Sequence, residues 1–219
     1  MNYQKEVAKA QIKIGAVGFR PADPITFVSG LIAPLYVDNR KFPFCPEEFK
    51  IVIGGFKNII KEKAIEFDII AGIEAGGIPY SSVLGYAMNR PSVFIRKKIK
   101  DHGTKSRIEG GSVEGKRVLL VEDLASTGLS SLNGVEALRN EGAIVKDCLV
   151  IISYNFPDTI ENFKNAKVDL HPLTDFPTLL EEVVSQGKLT GQEKEDVMDF
   201  FSEPWGWAKR HGKGESIKK

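Results

Sequence analysis

Between Lys116 and Asn140 the chain reads KRVLLVEDLASTGLSSLNGVEALRN, an order of residue types that few folds accommodate. Val118 to Val121 form an unbroken apolar run, the pattern of a strand buried on both faces. Two carboxylates, Glu122 and Asp123, follow where such a strand would leave its sheet. A short loop of small and hydroxyl residues comes next, with Ala125, Ser126, Thr127, Gly128, Ser130 and Ser131. Leu132, Val135, Ala137 and Leu138 then carry the apolar spacing of a helix. Unpaired N–H groups at a helix start bear the positive end of the helix dipole and suit a phosphate. Small side chains let those amides approach it, and hydroxyls add donors. Carboxylates beside a phosphate seat call for a neutral, hydroxyl-rich group between them, such as a ribose. The bare pattern also describes an ordinary strand-to-helix turn with an N-cap. It contains neither G-x-x-x-x-G-K-[ST] nor G-x-G-x-x-G, so no Walker or Rossmann loop is implied.

The rest of the chain supplies the context. Residues 3–14 read as a first helix, and ITFVSG (25–30) and APLYVDNR (33–40) as two short β segments forming a hairpin or hood outside the main sheet. Pro46-Glu47-Glu48 opens a helix whose buried stripe is Phe49, Val52, Ile53, Phe56, Ile59 and Ile60. Strands are expected at 67–73, 92–97 and 143–153, and helices at 80–90, 157–166, 175–186 and 191–202. Strands alternating with helices argue an α/β fold, a mostly parallel sheet with helices on both faces. In such sheets ligands sit beyond the strand C-termini, where the loops 74–79, 96–111 and 122–131 converge. The basic residues from Lys209 are expected to fray, and Trp205 and Trp207 to pack on apolar surface.

Composition narrows the classes. At 219 residues one domain is expected: an N-terminal helix and hood (1–45), a core (46–173) holding the motif at 118–130, and C-terminal helices with a tail (174–219). A net charge of +1 offers no electrostatic footprint for nucleic acid. Two distant cysteines, Cys45 and Cys148, argue against a disulfide scaffold and for a reducing cytoplasm. No signal-peptide pattern precedes the first helix, and no apolar run approaches the roughly 18 residues that a membrane span requires.

The segment from Arg96 to His102, RKKIKDH, has five residues able to carry positive charge, and Gly103, Gly110 and Gly111 follow. A solvated basic loop is the plain reading. The functional one is a lid that closes over a departing pyrophosphate, neutralises its growing charge and excludes water, with His102 binding or protonating a leaving oxygen.

Taken together, these stretches resemble a known family. VEDLASTGLSS is similar to the phosphoribosyl pyrophosphate (PRPP) motif of type I phosphoribosyltransferases, and RKKIKDHG to the R-K-x-x-K-x-H-G loop of orotate phosphoribosyltransferases. FVSG…APLYVDNR looks like that family's N-terminal hood, and IAGIEAGGIP like its pyrophosphate-contacting loop. SYNFPDTIENF…VDLHPLTDFPTLLEEV resembles the C-terminal portion of a bacterial branch, so the similarity runs from about Ile25 to Trp207.

The resemblance implies transfer of ribose 5-phosphate from PRPP to orotate, by a homodimer with shared sites that uses Mg²⁺ carried on PRPP. Arg96, Lys97, Lys100 and His102 would contact pyrophosphate, some in the neighbouring subunit's site. Glu122 and Asp123 would hold the ribose hydroxyls. The loop Leu124, Ala125, Ser126, Thr127, Gly128, Leu129 and Ser130 would bind substrate, wrapping the 5′-phosphate from Ala125 onward, with Ser126 also near orotate. Three cations common in the family are replaced here by Val28, Gly76 and Phe156. Arg40, Lys98, Arg107 and the amides of 75–78 are candidate substitutes. The rival readings are transfer to another base, or a PRPP-sensing regulator; the basic loop argues against the first and the neutral charge balance against the second.

Overall fold

The structure, a computed structural model, describes residues 2–27, 29–97 and 106–218. Val28, Lys98, Lys100 and His102 therefore lie outside the described residues. Helix α1 (Tyr3–Lys13) begins at Asn2, whose side-chain oxygen accepts from the Lys5 amide. The hood follows as β1 (Val17–Phe19), β2 (Ile25–Thr26), β3 (Ile32–Ala33) and β4 (Leu35–Val37). Instead of one hairpin between 25–30 and 33–40, two small antiparallel pairs form, β2 with β3 and β1 with β4. Strand character ends at Val37, because Asn39–Phe44 is a 3-10 helix carrying Pro43.

The core comprises α2 (Pro46–Glu62), β5 (Ile69–Ile73), α3 (Ile78–Met88), β6 (Ser92–Ile95), β7 (Ile108–Glu109), β8 (Val118–Ala125), α4 (Leu129–Asn140), β9 (Asp147–Ser153), α5 (Pro157–Ala166) and β10 (Asp169–Asp175). Helices α6 (Phe176–Ser185), α7 (Gly191–Ser202) and α8 (Pro204–Arg210) follow. Strand order is β10-β9-β8-β5-β6-β7, parallel throughout except β7, which runs antiparallel to β6. The glycine-rich region after β6 was not expected to contain a strand. Ile108 and Glu109 make one by pairing with Ile95 and Phe94, an edge contact too short to leave a periodic signature.

Alternation along β8 explains its apolar run. Val118 and Leu120 face α4 and α5, packing with Val135, Leu138 and Phe163. Leu119 and Val121 face α2 and α3, packing with Val52, Phe56, Tyr80 and Leu84. Both faces are dry, so every position must be apolar. A third cluster joins the hood (Leu31, Ala33, Leu35) to Phe176, Leu179, Phe200 and Trp207 of the last three helices.

Two expectations are corrected. β8 does not leave the sheet at the acidic pair: β9 continues alongside, with Glu122 opposite Val150 and Ala125 opposite Ser153. Only Ser126 to Gly128 remain as loop, and Leu129 and Ser130 open α4. The tail does not fray after Lys209. Lys213 Nζ donates to the Ala22 carbonyl at 2.8 Å, and Ile32 N–H to Ser216 Oγ at 3.0 Å. Trp207 is fully buried, as expected.

Candidate active site

Glu122 and Asp123 sit near the C-terminal end of a central strand, next to the loop that opens α4. Glu122 is 5% exposed. Its carboxylate accepts from the Asp123 amide at 3.0 Å and from the Ser130 hydroxyl at 3.3 Å. Burial, then the neighbouring Asp123 charge, holds the Glu122 carboxyl well above the ordinary glutamate range. Burial also raises Asp123, although the Glu122 hydrogen bond and the Arg40 charge oppose it. Two adjacent acids, Glu122 buried and Asp123 half-buried, are an expensive arrangement for a fold to keep, and such perturbed pairs concentrate at functional sites.

The loop 126–128 is held from behind by α5. Thr159 Oγ1 donates to the Ser126 carbonyl, and Asn162 Nδ2 to the Thr127 carbonyl at 3.4 Å. In a trans peptide the carbonyl and the next N–H point in opposite directions, so the Thr127 and Gly128 amides are directed away from α5. Gly128 has φ +78°, and a Cβ there would come 2.8 Å from the Phe163 ring, so only glycine fits. Thr127 is buried, while Leu129 is exposed.

Facing the acids is the loop after β5. A Cβ at Gly76 would stand 2.5 Å from Asp123 Cγ. A side chain there would require the Asp123 carboxylate to turn away. Glu74 reaches across to accept the Lys97 amide at 2.9 Å, joining this loop to the end of β6. Arg96 lies 3.6 Å from Glu109, and its carbonyl accepts from Arg107 Nε at 2.8 Å. Arg107 also donates to Asn133 at 2.9 Å, so it serves as a clamp between loop and helix. Phe156 is buried among Tyr154, Phe200 and Phe201, a core position with no room for a cation. Of the described candidate cations, Arg40 is the one whose charge acts on Asp123; it bonds Asp38 at 2.6 Å and remains largely exposed.

Sequence reasoning missed Asn39, Tyr80 and Asp38. Asn39 Nδ2 donates to the Asp123 carbonyl at 2.7 Å, and Tyr80 donates to the Asn39 carbonyl at 2.5 Å. Nothing in the local sequence marks Asn39; its role comes from the 3-10 helix meeting β8 across 84 residues. The described residues contain no group of three or more His, Cys, Asp or Glu arranged to hold a metal. A cavity of about 310 Å³ between Lys63–Phe67 and Arg117, Ile144 and Lys146 lies at the opposite ends of the strands, where Arg117 is already paired with Asp68 and Glu66.

A mostly parallel sheet with an acidic pair and a small-residue loop at a strand C-terminus fits a phosphoribosyltransferase, and comparison with known families shows that class. The phosphoribosyl transferase domain matches residues 45–167. The orotate phosphoribosyltransferase of Coxiella burnetii is 37% identical over 94% of this chain and 99% of its own length. That of Cytophaga hutchinsonii is 36% identical over 95% of this chain and its full length. Among solved structures, Leishmania donovani UMP synthase aligns with TM-score 0.79 and 26% identity, covering 91% of this chain, which spans 42% of that longer protein. The orotate phosphoribosyltransferase of Aeropyrum pernix aligns with TM-score 0.72 and 26% identity, over 82% of this chain and 98% of its own. The chain belongs to the orotate phosphoribosyltransferase family.

Proposed function

We propose that the chain transfers the 5-phosphoribosyl group of PRPP to orotate, giving orotidine 5′-monophosphate and pyrophosphate in pyrimidine (UMP) synthesis. The carrying observation is the Glu122–Asp123 pair, its first member buried, set directly before the α4 loop in a chain that aligns almost end to end with orotate phosphoribosyltransferases.

The reaction is a displacement at the anomeric carbon, where positive charge builds on the ribose and negative charge on the pyrophosphate. Glu122 and Asp123 accept from the ribose hydroxyls, and their charge favours the cationic transition state. Amides and hydroxyls of Ser126 to Ser130 hold the 5′-phosphate at the start of α4. Arg96, Lys97, Lys100 and His102 neutralise the departing pyrophosphate. Arg40 is the cation we assign to the orotate side, in place of those replaced at Val28, Gly76 and Phe156. Mg²⁺ suits this donor set, because it binds few carboxylates and prefers phosphate oxygens and water. When bound to PRPP it neutralises the leaving group, and the chain orients the ribose.

We read residues 1–219 as one catalytic domain. Support comes from α1, which packs on α2, α6 and β10 and so joins both ends of the chain to the sheet. Homodimerisation is supported by exposed Phe44, Val83 and Tyr86, large apolar groups at the end of the 3-10 helix and on α3. Among the described residues no helix is long and apolar enough to cross a membrane. The free thiols of Cys45 and Cys148 suit a reducing cytoplasm.

The test is orotate absorbance followed with purified protein, PRPP and Mg²⁺, one component omitted at a time. Loss of orotate that requires both PRPP and Mg²⁺ supports the reading. PRPP binding without orotate turnover refutes it and favours another base or a sensor.

A further inference from the structure

The segment after α8 crosses the outer edge of the hood. Gly212 N–H bonds back to Lys209, and Lys213 Nζ reaches the Ala22 carbonyl at 2.8 Å. Ile32 N–H, on β3, donates to Ser216 Oγ at 3.0 Å, and Ile217 N–H donates to the Gly30 carbonyl at 3.3 Å. Lys218 then pairs with Asp158 at 2.7 Å and lies 5.0 Å from the Trp205 ring centroid. Asp158 stands in the first turn of α5, one residue before Thr159, which holds the Ser126 carbonyl. One short segment thus touches both the hood and the helix behind the phosphate loop.

Hood and α8 share one core cluster, whereas α5 belongs to another. α5 and α8 are fixed by Phe163 and Trp207 in two separate core clusters. The hood strands β2 and β3 are two residues each, and Leu31 and Ala33 anchor them on their inner side in the same cluster as Trp207, leaving the outer edge to the tail. Phe27, just after β2, packs 6.0 Å from Tyr154, whose amide bonds the Ala125 carbonyl at the end of β8. The hood tip therefore lies beside the end of β8, the strand that carries the acidic pair.

We propose that residues 213–218 form a strap whose Ser216 and Ile217 act as positioning residues for orotate, by pairing with the open edge of β3 and holding the hood over the base side of the site. This rests on the orotate reading above. The contact consists of one hydroxyl that accepts the Ile32 amide and one main-chain bond from Ile217 to Gly30, just before β3, so it satisfies a donor on the free edge of a two-stranded pair. Its bonds are few, and Ile217 is 68% exposed, so its effect is modest and falls on the outer edge of the hood.

The experiment compares the full chain with a variant stopped after Gly212, and with Ser216→Ala, Ser216→Thr and Ile217→Pro. Proline removes the N–H that Gly30 accepts, and threonine keeps the hydroxyl. The expected result is an orotate KM raised about fivefold in the truncation, Ser216→Ala and Ile217→Pro variants, as for loss of one or two hydrogen bonds. PRPP KM and melting temperature stay near wild type, and Ser216→Thr restores the orotate KM. Hydrogen exchange at Ile32, which needs no activity, accelerates in the truncated chain. An unchanged orotate KM overturns the proposal. So does a uniform loss in both KM values with lowered melting temperature, the mark of a purely structural staple. A wild type that turns over no orotate removes the base-binding role through failure of the site reading, and Ile32 exchange then reports separately whether the tether exists.

Discussion

Asn39 bridges two parts of the chain, donating to the Asp123 carbonyl at 2.7 Å while its side-chain oxygen accepts from Gln11 Nε2 at 2.8 Å. Both Asn39 and Gln11 are fully buried. Asn39→Ala would orphan the Gln11 amide and the Asp123 carbonyl, and leaving a buried polar group unpaired costs about 1–3 kcal/mol. Asn39→Ala should therefore lower stability by about 2 kcal/mol or more and raise PRPP KM. Denaturant unfolding and initial-rate kinetics check this; a wild-type midpoint would show that water replaces the amide.

Glu122→Gln should separate stability from activity. Burial and the Asp123 charge raise the native pKa of Glu122, so at pH values between its unfolded and native pKa the folded state binds more protons. Stability then falls as pH rises through that window, and the full cost remains above the native value. Removing the ionisable group should raise the melting temperature at neutral pH more than at pH 4, while kcat falls at least tenfold because the ribose loses a charged partner. Melting curves from pH 4 to 8 beside rates at pH 8 provide the check; equal melting shifts at all pH values would refute the linkage.

Arg40→Ala should raise orotate KM by about tenfold or more, the scale for losing one charge-assisted hydrogen bond. Its side chain is largely exposed and bonds only its neighbour Asp38 among its described hydrogen bonds, so melting should barely change. Arg40→Lys should recover part of the loss, since it keeps charge but not the planar fork. Kinetics with orotate varied at saturating PRPP decide it, and an unchanged KM would return the choice to the other candidate cations.

Lys100→Ala and His102→Ala should each lower kcat strongly, about a hundredfold for a lost general acid, with no change in melting. Single-turnover rates distinguish slow chemistry from slow product release. Wild-type kcat in either variant would end the lid assignment.

How much was legible follows from the range of the interactions. The strand Val118 to Val121, the α4 stripe and the Pro46 helix start were readable because periodicity and capping are local. The end of β8 was misplaced because the acids look like a strand exit, whereas backbone pairing with β9 carries the strand through Ala125.

The order of residue types alone determined the α/β alternation, the acidic pair before a small-residue loop, and the basic stretch after Phe94, since each is written within a few consecutive residues. Only the tertiary structure decided that Asn39 supports Asp123, that Gly76 lies directly against its carboxylate, and that the tail is tied to the hood. Those contacts join residues 84, 47 and 184 positions apart. Their donors and clearances are created when the sheet brings distant segments to one edge, so no local pattern encodes them.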